Sequence, residues 1–257
     1  MHMFNAMETK NACVKWIRDW FEQNGKGCTA VLGISGGADS TIAAALCKEA
    51  LGKDRVLGVL MPNGTQPDID DSYEVVKLLD IRHVYADISS TYDSVVSSAN
   101  RIFSYDEYGF KRCEYLEITG QAHINLLPRI RMSTLYFISQ SVNGRVVNTC
   151  NLSEDFIGYL TRYGDGAGDF APLGGMTKTE VVAVGDTLGL PEHLVHKIPS
   201  DGLCHKTDED NFGFSYTVLD HYIRTGECEN VNAKEKIDAL HQKNQFKFKP
   251  IPSFRFD

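Results

Sequence analysis

An α/β fold, with a doubly wound parallel sheet flanked by helices, is the architecture this sequence predicts. Two observations carry that expectation. Short apolar runs closed by glycine, serine or proline alternate with longer segments of helical periodicity, the pattern of successive βαβ units. The stretch Gly33-Ile34-Ser35-Gly36-Gly37-Ala38-Asp39-Ser40 also falls where the first such run gives way to a helix, and that junction is where open α/β sheets bind ligands.

The elements follow in order. Residues 9–24 place Ala12, Val14, Trp16, Ile17, Trp20 and Phe21 near helical spacing, which predicts an amphipathic helix rather than the apolar core of a signal peptide. The run 28–34 predicts a buried strand. Residues 41–51 continue as a helix stopped by Gly52, and 56–61 form a second strand closed by Pro62-Asn63-Gly64. Residues 68–79 predict a helix whose carboxylate-rich first turn suits the helix dipole. A third strand at 83–86, a helix at 90–103 and a polar loop at 104–117 come next. A long helix is expected over 125–142, with Asn125 near its cap so that Pro128 falls in the first turn. A fourth strand at 145–149 leads to a glycine-rich segment (164–175), a helix over 178–188, a loop over 199–214 and two C-terminal helices. No stretch has linker composition, so residues 1–257 are expected to form a single domain.

Composition narrows the functional classes. Twenty-six basic residues against 34 acidic ones give a net charge of −8, which argues against non-specific nucleic-acid binding. No run approaches the ~18 apolar residues of a membrane span. The 7 cysteines are odd in number and form no C-x-x-C pair, so ordinary thiols in a reducing cytoplasm are expected rather than a disulfide framework or structural zinc.

The glycine-rich turn carries the chemistry. A strand-to-helix junction presents free backbone N–H groups and a dipole to an anion. Gly36 and Gly37 let the backbone approach phosphate closely, and Ser35 and Ser40 add hydroxyl donors. Asp39 would repel phosphate by itself, so its presence makes sense if Mg²⁺ bridges it to the phosphate oxygens. The plain alternative is a glycine turn capped by Asp39 and Ser40. The stretch lacks the Lys-Ser/Thr pair of a Walker A loop and is not G-x-G-x-x-G. It resembles the S-G-G-x-D-S loop of the PP-loop ATP pyrophosphatases, which implies cleavage of ATP between its α and β phosphates.

Further segments extend the resemblance. Gly64-Thr65-Gln66, Asn148-Thr149, Glu154, Thr161-Arg162-Tyr163-Gly164-Asp165-Gly166, Asp169, Pro172-Leu173 and Met176-Thr177-Lys178 occur in that order. From about Ala12 to Phe256 the chain resembles the ammonia-dependent NAD synthetases. The length leaves no room for the glutaminase domain of glutamine-dependent relatives, so ammonia is the expected nitrogen source. The resemblance implies that the nicotinate carboxylate of deamido-NAD⁺ attacks the ATP α-phosphate and that ammonia then displaces AMP from the acyl-adenylate. It also implies a homodimer with deamido-NAD⁺ bound across the interface. The apolar excess of helix 125–142 would serve such an interface or, equally, full burial.

Roles carried over by the resemblance fall on named residues. Gly33 through Ser40, Thr149, Lys178 and Ser200 would contact ATP, with Lys178 neutralising charge on the phosphates. Asp39 and Glu154 would hold Mg²⁺. Arg129, Arg162, Asp169, Phe246 and Lys247 would face deamido-NAD⁺, and Asp165 would sit near the incoming ammonia. Plainer alternatives exist: Glu154 as a first-turn helix carboxylate, Arg129 and Arg131 as solvated helix charges, and Asp165 and Asp169 as turn formers. Lys178 at a helix N-terminus is a poor place for a cation, which favours a functional role.

Three positions depart from the family pattern: Arg162 stands for a lysine, Ser200 for a threonine, and Phe246-Lys247 for a His-Lys pair. The segment 200–206 also differs and is expected to act as a lid that excludes water. The rival readings are another PP-loop amidoligase acting on a different carboxylate or carbonyl, and a non-enzymatic adenine-nucleotide-binding module. Asp39, Glu154 and Lys178 argue against the second, which needs no metal carboxylates.

Overall fold

The computed structural model describes residues 4–100, 118–199 and 207–256. The expected loop at 104–117, the expected lid at 200–206 and Ser200 lie outside those residues.

Helix α1 (Ala6–Asn24) starts a turn earlier than periodicity predicts, because Asn5 caps it by accepting from Glu8 N at 3.1 Å. Strand β1 (Thr29–Gly33), helix α2 (Ala38–Leu51), strand β2 (Val56–Leu60), helix α3 (Ile69–Leu78), strand β3 (Arg82–Tyr85) and helix α4 (Ser89–Asn100) follow as βαβ units. Helix α5 (Gly120–Ser141) then leads into strand β4 (Gly144–Val146). The strands pair in parallel in the order β3-β2-β1-β4, with Ala30 opposite both Val56 and Arg145. This is the doubly wound sheet that the alternation predicts.

Side chains alternate across it as a pleated strand requires. Ala30 and Leu32 join one buried cluster with α1, α2 and α3, while Val31, Leu57 and Val59 join a second with Ile130, Met132 and Leu135 of α5. Phe21, Leu32, Leu46 and Leu60 are fully buried, and each contributes about 1.5–3 kcal/mol relative to exposure. Phe170 stacks on Trp20 with ring centroids 4.7 Å apart and meets Phe21 edge-on at 5.2 Å, fastening the glycine-rich segment to α1.

The remaining helices are α6 (Leu152–Ile157), α7 (Lys178–Asp186), α8 (Glu192–Val195), α9 (Asp208–Phe212), α10 (Tyr216–Thr225) and α11 (Val231–Asn244). α10 and α11 are the expected C-terminal pair. With α6 and α9 they enclose a third cluster of Ile157, Phe212, Phe214, Tyr216, Leu219, Ala233 and Ile237. Helices as short as α6, α8 and α9 show no usable periodicity, so α6 and α8 go unpredicted and α9 occupies part of an expected loop. No helix among the described residues is long and apolar enough to cross a membrane.

Two expectations need correction. α5 begins at Gly120, capped by Thr119, whose Oγ1 accepts from Ala122 N at 3.2 Å. Asn125 is therefore not the cap, and its Oδ1 accepts from Thr161 Oγ1 at 3.1 Å instead. Pro128 lies inside the helix, where it withholds an N–H from the carbonyl one turn earlier. β4 also ends at Val146, not at residue 149. Val147 bridges to Phe170, and Asn148 N donates to Phe170 O at 2.8 Å. Thr149 thus sits in a turn past the strand, still at the carboxyl edge of the sheet.

Candidate active site

The turn between β1 and α2 lies at that edge. Gly36 has φ +75°, and a Cβ there would stand 2.7 Å from Asp71 Cβ. The turn is pressed against the first turn of α3, so only glycine meets both demands. Gly37 is the N-cap of α2 and supplies no side-chain cap, which leaves the first N–H groups of the helix directed at any approaching anion. Asp39 and Ser40 do not cap the helix. The Ser35 and Ser40 hydroxyls lie 3.1 Å apart, and Ser40 Oγ donates to Gly37 O at 3.1 Å. Gly37 N donates to Ser35 Oγ at 3.2 Å. These bonds stiffen the turn while Ser35 stays exposed.

Asp39, in the first turn of α2, meets two other elements. Its Oδ2 pairs with the ammonium of Lys178, the first residue of α7, and its Oδ1 accepts from Asn151 Nδ2 at 3.3 Å. The Lys178 and Asp39 side chains are only 6% and 19% exposed, so the pair is largely out of water and its attraction is strong. Burial works against the Lys178 charge, but Asp39 and Glu154 outweigh it and raise its pKa.

Asn151 is also the N-cap of α6. Its Oδ1 accepts from Ser153 N at 3.0 Å and Glu154 N at 3.1 Å, while Glu154 Oε2 accepts from Asn151 N at 3.2 Å, closing a capping box. Glu154 is therefore both the first-turn carboxylate of the plain alternative and a neighbour of Asp39. Burial pushes its pKa well above the ordinary carboxylate range, Asp39 adds to that, and Lys178 opposes it. Two repelling carboxylates in low-polarity surroundings are what a divalent cation relieves. Among the described residues no group of three or more His, Cys, Asp or Glu forms a metal cage. The pair therefore fits a hard cation that draws its other ligands from phosphate and water, as Mg²⁺ does.

Behind Lys178 lies a support. Lys178 N donates to Ser153 Oγ at 2.9 Å, Ser153 Oγ donates to Asp220 Oδ1 at 2.5 Å, and Thr179 N donates to Asp220 Oδ2 at 2.8 Å. The Lys178 Nζ stands 5.6 Å from the centre of the Tyr216 ring, whose hydroxyl donates to Asp208 at 3.0 Å. Sequence reasoning missed Asn151, Ser153, Asp208, Tyr216 and Asp220. The spacings Asn151-x-x-Glu154 and Thr207-x-x-Asp210 were signals for the caps that place the first and third.

The residues expected to face the acceptor form a second, more open group. Arg129 Nε donates to Arg162 O at 3.3 Å, and Arg162 NH2 donates to Lys249 O at 3.2 Å. The Arg162 guanidinium lies 4.9 Å from the Tyr163 ring centre and 5.7 Å from that of Phe246. Lys247 Nζ donates to Gly158 O at 2.6 Å and Leu160 O at 2.8 Å, holding the end of α6. Burial lowers its pKa against the pull of Asp165. Arg162, Tyr163, Lys247, Phe248 and Lys249 line a cavity of about 240 Å³. A larger one of about 510 Å³ lies behind α6, against Phe212, Lys236 and Leu240, and shares no residue with the Asp39–Lys178 cluster.

Asp165 and Asp169 behave differently. Asp165 Oδ1 accepts from Thr161 N at 3.0 Å. Solvent reaches Asp165, yet protein crowds its carboxyl, and that burial raises its pKa against the Thr161 N–H. Its charge acts on Arg131, which bonds Met61 O at 3.2 Å and whose pKa burial lowers. Arg131 is thus no solvated helix charge, as the plain alternative had it. Burial, with Asp165 adding, also raises Asp155 to about 6. Asp169 spends both oxygens on the scaffold, accepting from Val146 N at 2.7 Å and Tyr136 OH at 3.4 Å. The turn carrying Thr149 links the two groups, since Asn148 Nδ2 donates to Asp165 O at 3.0 Å while Asn151 reaches Asp39.

Comparison with known proteins sets this geometry in context. The family model described as NAD synthase matches residues 9–251. An NH(3)-dependent NAD(+) synthetase of Finegoldia magna is 36% identical over 246 residues, covering 95% of this chain and 94% of the relative. Among solved structures, an NMN synthetase from Francisella tularensis is 29% identical with a TM-score of 0.87, covering 99% of this chain and 100% of that one. An NH3-dependent NAD synthetase from Campylobacter jejuni is 27% identical with a TM-score of 0.75, covering 98% of this chain and 100% of its own.

Proposed function

The chain belongs to the NAD synthase family, and from that premise we propose that it amidates deamido-NAD⁺ to NAD⁺ with ammonia and ATP, through a nicotinate acyl-adenylate, releasing AMP and pyrophosphate. The observation that carries the reading is the convergence of Asp39, Glu154 and Lys178, from three separate elements, beside the glycine turn.

Each residue has a task in that reading. The turn from Gly33 to Ser40 receives the phosphates through backbone N–H groups and hydroxyls. Asp39 and Glu154 would hold Mg²⁺, which when bound would supply positive charge against a pyrophosphate leaving group. Lys178 leaves Asp39 for the phosphates and stabilises charge that develops as the α–β bond breaks. Thr149 and Ser200 contact ATP. Arg129, Arg162, Phe246 and Lys247 face the acceptor, whose phosphates suit the cations lining the smaller cavity, while Asp169, engaged by Val146 N and Tyr136 OH, frames that side rather than binding through a free oxygen. Asp165, whose pKa burial has raised, is a better base than an ordinary carboxylate and takes a proton from ammonium.

Three coarser features belong to the same reading. Phe137, on the outer side of α5, is 73% exposed, which supports α5 as the face of a homodimer rather than a fully buried helix. The α6–α7 contact at Ser153 and Lys178 ties the C-terminal cluster to the sheet, which supports a single domain. Cys13, Cys28, Cys47, Cys150 and Cys228 are free thiols, which supports a cytoplasmic setting.

One observation favours a second reading of the acceptor. The chain superposes on the NMN synthetase with a TM-score of 0.87 and on the NAD synthetase with 0.75. On that reading the carboxylate is carried by nicotinate mononucleotide and the product is NMN. The deciding experiment incubates the protein with ATP, Mg²⁺, ammonium and either deamido-NAD⁺ or nicotinate mononucleotide and compares kcat/KM. AMP and pyrophosphate are expected with the true acceptor; ADP and phosphate would remove the adenylation reading for both.

A further inference from the structure

The glycine turn has an acidic neighbour. A Cβ on Gly36 would come within 2.7 Å of Asp71 Cβ and 3.0 Å of Ser72 N, so the backbone of the turn touches the start of α3. That start carries Asp68 at the cap and Asp70 and Asp71 in the first turn. Carboxylates so placed repel a polyanion bound to the turn, since charge interactions near a protein surface persist over many ångströms.

Lys197, in the segment after α8, meets two of the three. Its Nζ lies 2.7 Å from Asp68 Oδ2 and 2.6 Å from Asp71 Oδ2. Burial works against its charge, and the two carboxylates outweigh burial and raise its pKa. The side chains of Lys197, Asp68 and Asp71 are 27%, 47% and 32% exposed. Ion pairs that open to water add little to folding, so the chief consequence of this one is local charge. We propose that Lys197 is a positioning residue for the triphosphate, offsetting part of the negative charge that abuts the phosphate turn so that the turn accepts a polyanion. The inference rests on the reading of residues 35–40 as the triphosphate cradle.

A mere strut between α3 and the segment after α8 would show the same contacts, so the test must separate charge from tether. ATP binding is measured by titration calorimetry in Mg²⁺ buffer without acceptor, for wild type, Lys197→Met, Lys197→Arg, and Lys197→Met combined with Asp68→Asn and Asp71→Asn. Lys197→Met is expected to weaken binding by about tenfold or more, the order of one uncompensated charge near the surface. Lys197→Arg should bind like wild type, and the triple variant should recover most of the loss although its tether is gone. At saturating ATP the kcat of Lys197→Met should stay within about twofold of wild type. Equal binding by wild type and Lys197→Met would overturn the proposal, and so would a loss that removing the carboxylates does not restore. A wild type that binds no ATP would overturn the cradle reading itself, and this inference with it.

Discussion

The two halves of the site are built to different standards. On the side proposed for the nucleotide, Asp39, Lys178 and Glu154 come from three helices and are fixed by bonds to Asn151 and Ser153, the latter braced by Asp220, with the central pair mostly out of water. On the side proposed for the acceptor, Arg129, Arg162 and Lys247 rest mainly on backbone carbonyls, and the last two line a small open cavity. A carbonyl partner is easily exchanged for a phosphate, whereas a buried ion pair held from both ends gives way only to a comparable charge. On the proposed function, the first side is organised for a transition state and the second for binding and release.

That contrast predicts where kinetic damage appears. The largest effect is expected from Asp39→Ala. It removes the partner of Lys178 and, on the proposed function, a ligand of Mg²⁺, and steady-state turnover should fall by about 10³-fold or more. The circular dichroism spectrum should be retained, because Asp39 makes no cap bond in α2; near-normal turnover would break the contrast at its strongest point. Lys178→Ala should cost about 10²-fold in kcat, as lost charge-stabilising donors do. A change confined to the KM for ATP would instead assign Lys178 to uniform binding. Arg162→Ala, on the open side, should raise the KM for the acceptor by about tenfold and leave kcat within about twofold. A collapse of kcat there would make the two halves alike.

The smallest effect concerns the support of α7. Glu180 accepts from Thr177 N at 2.9 Å and from Arg224 Nε at 2.8 Å. Burial alone would raise its pKa, but Arg224 and the Thr177 N–H outweigh it and bring it below the ordinary value. A depressed carboxylate stabilises the fold above its unfolded pKa, and that contribution is lost as pH falls through the folded one. Glu180→Gln should therefore cost about 1 kcal/mol near neutral pH, given the partial exposure of Arg224. In urea titrations the difference from wild type should vanish at acid pH, below the depressed pKa. A difference that grew on acidification would reverse the sign of the assignment.

The sheet was legible because its strands are apolar runs bounded by glycine and proline, and the glycine turn because paired glycines stand between an apolar run and a helical one. Helix starts were harder. Asn125 looked like a cap before Leu126, yet Thr119 does that work, since a cap depends on a backbone turn that composition does not display. The fourth strand was drawn too long because Val147 to Thr149 still read as extended chain, while Val147 and Asn148 take a partner in Phe170 that composition does not display. The structure brings Asp39, Glu154 and Lys178 together, but Asn151, which bridges two of them, was passed over as an ordinary polar residue. The acidic start of α3 was read only as favourable to its own helix. Its contact with Gly36 and its pairing with Lys197, far along the chain, needed three dimensions.

The double engagement of Glu154 makes that position pleiotropic. One carboxylate closes the first turn of α6 and also stands beside Asp39, so a replacement there alters a folding signal and, on the proposed function, a reaction in a single stroke. Drift at residue 154 is consequently screened twice, and a loss of activity on changing it says little about which duty failed. Asp39 closes no helix turn of its own, and its structural duty is confined to the pairing with Lys178 and the bond from Asn151.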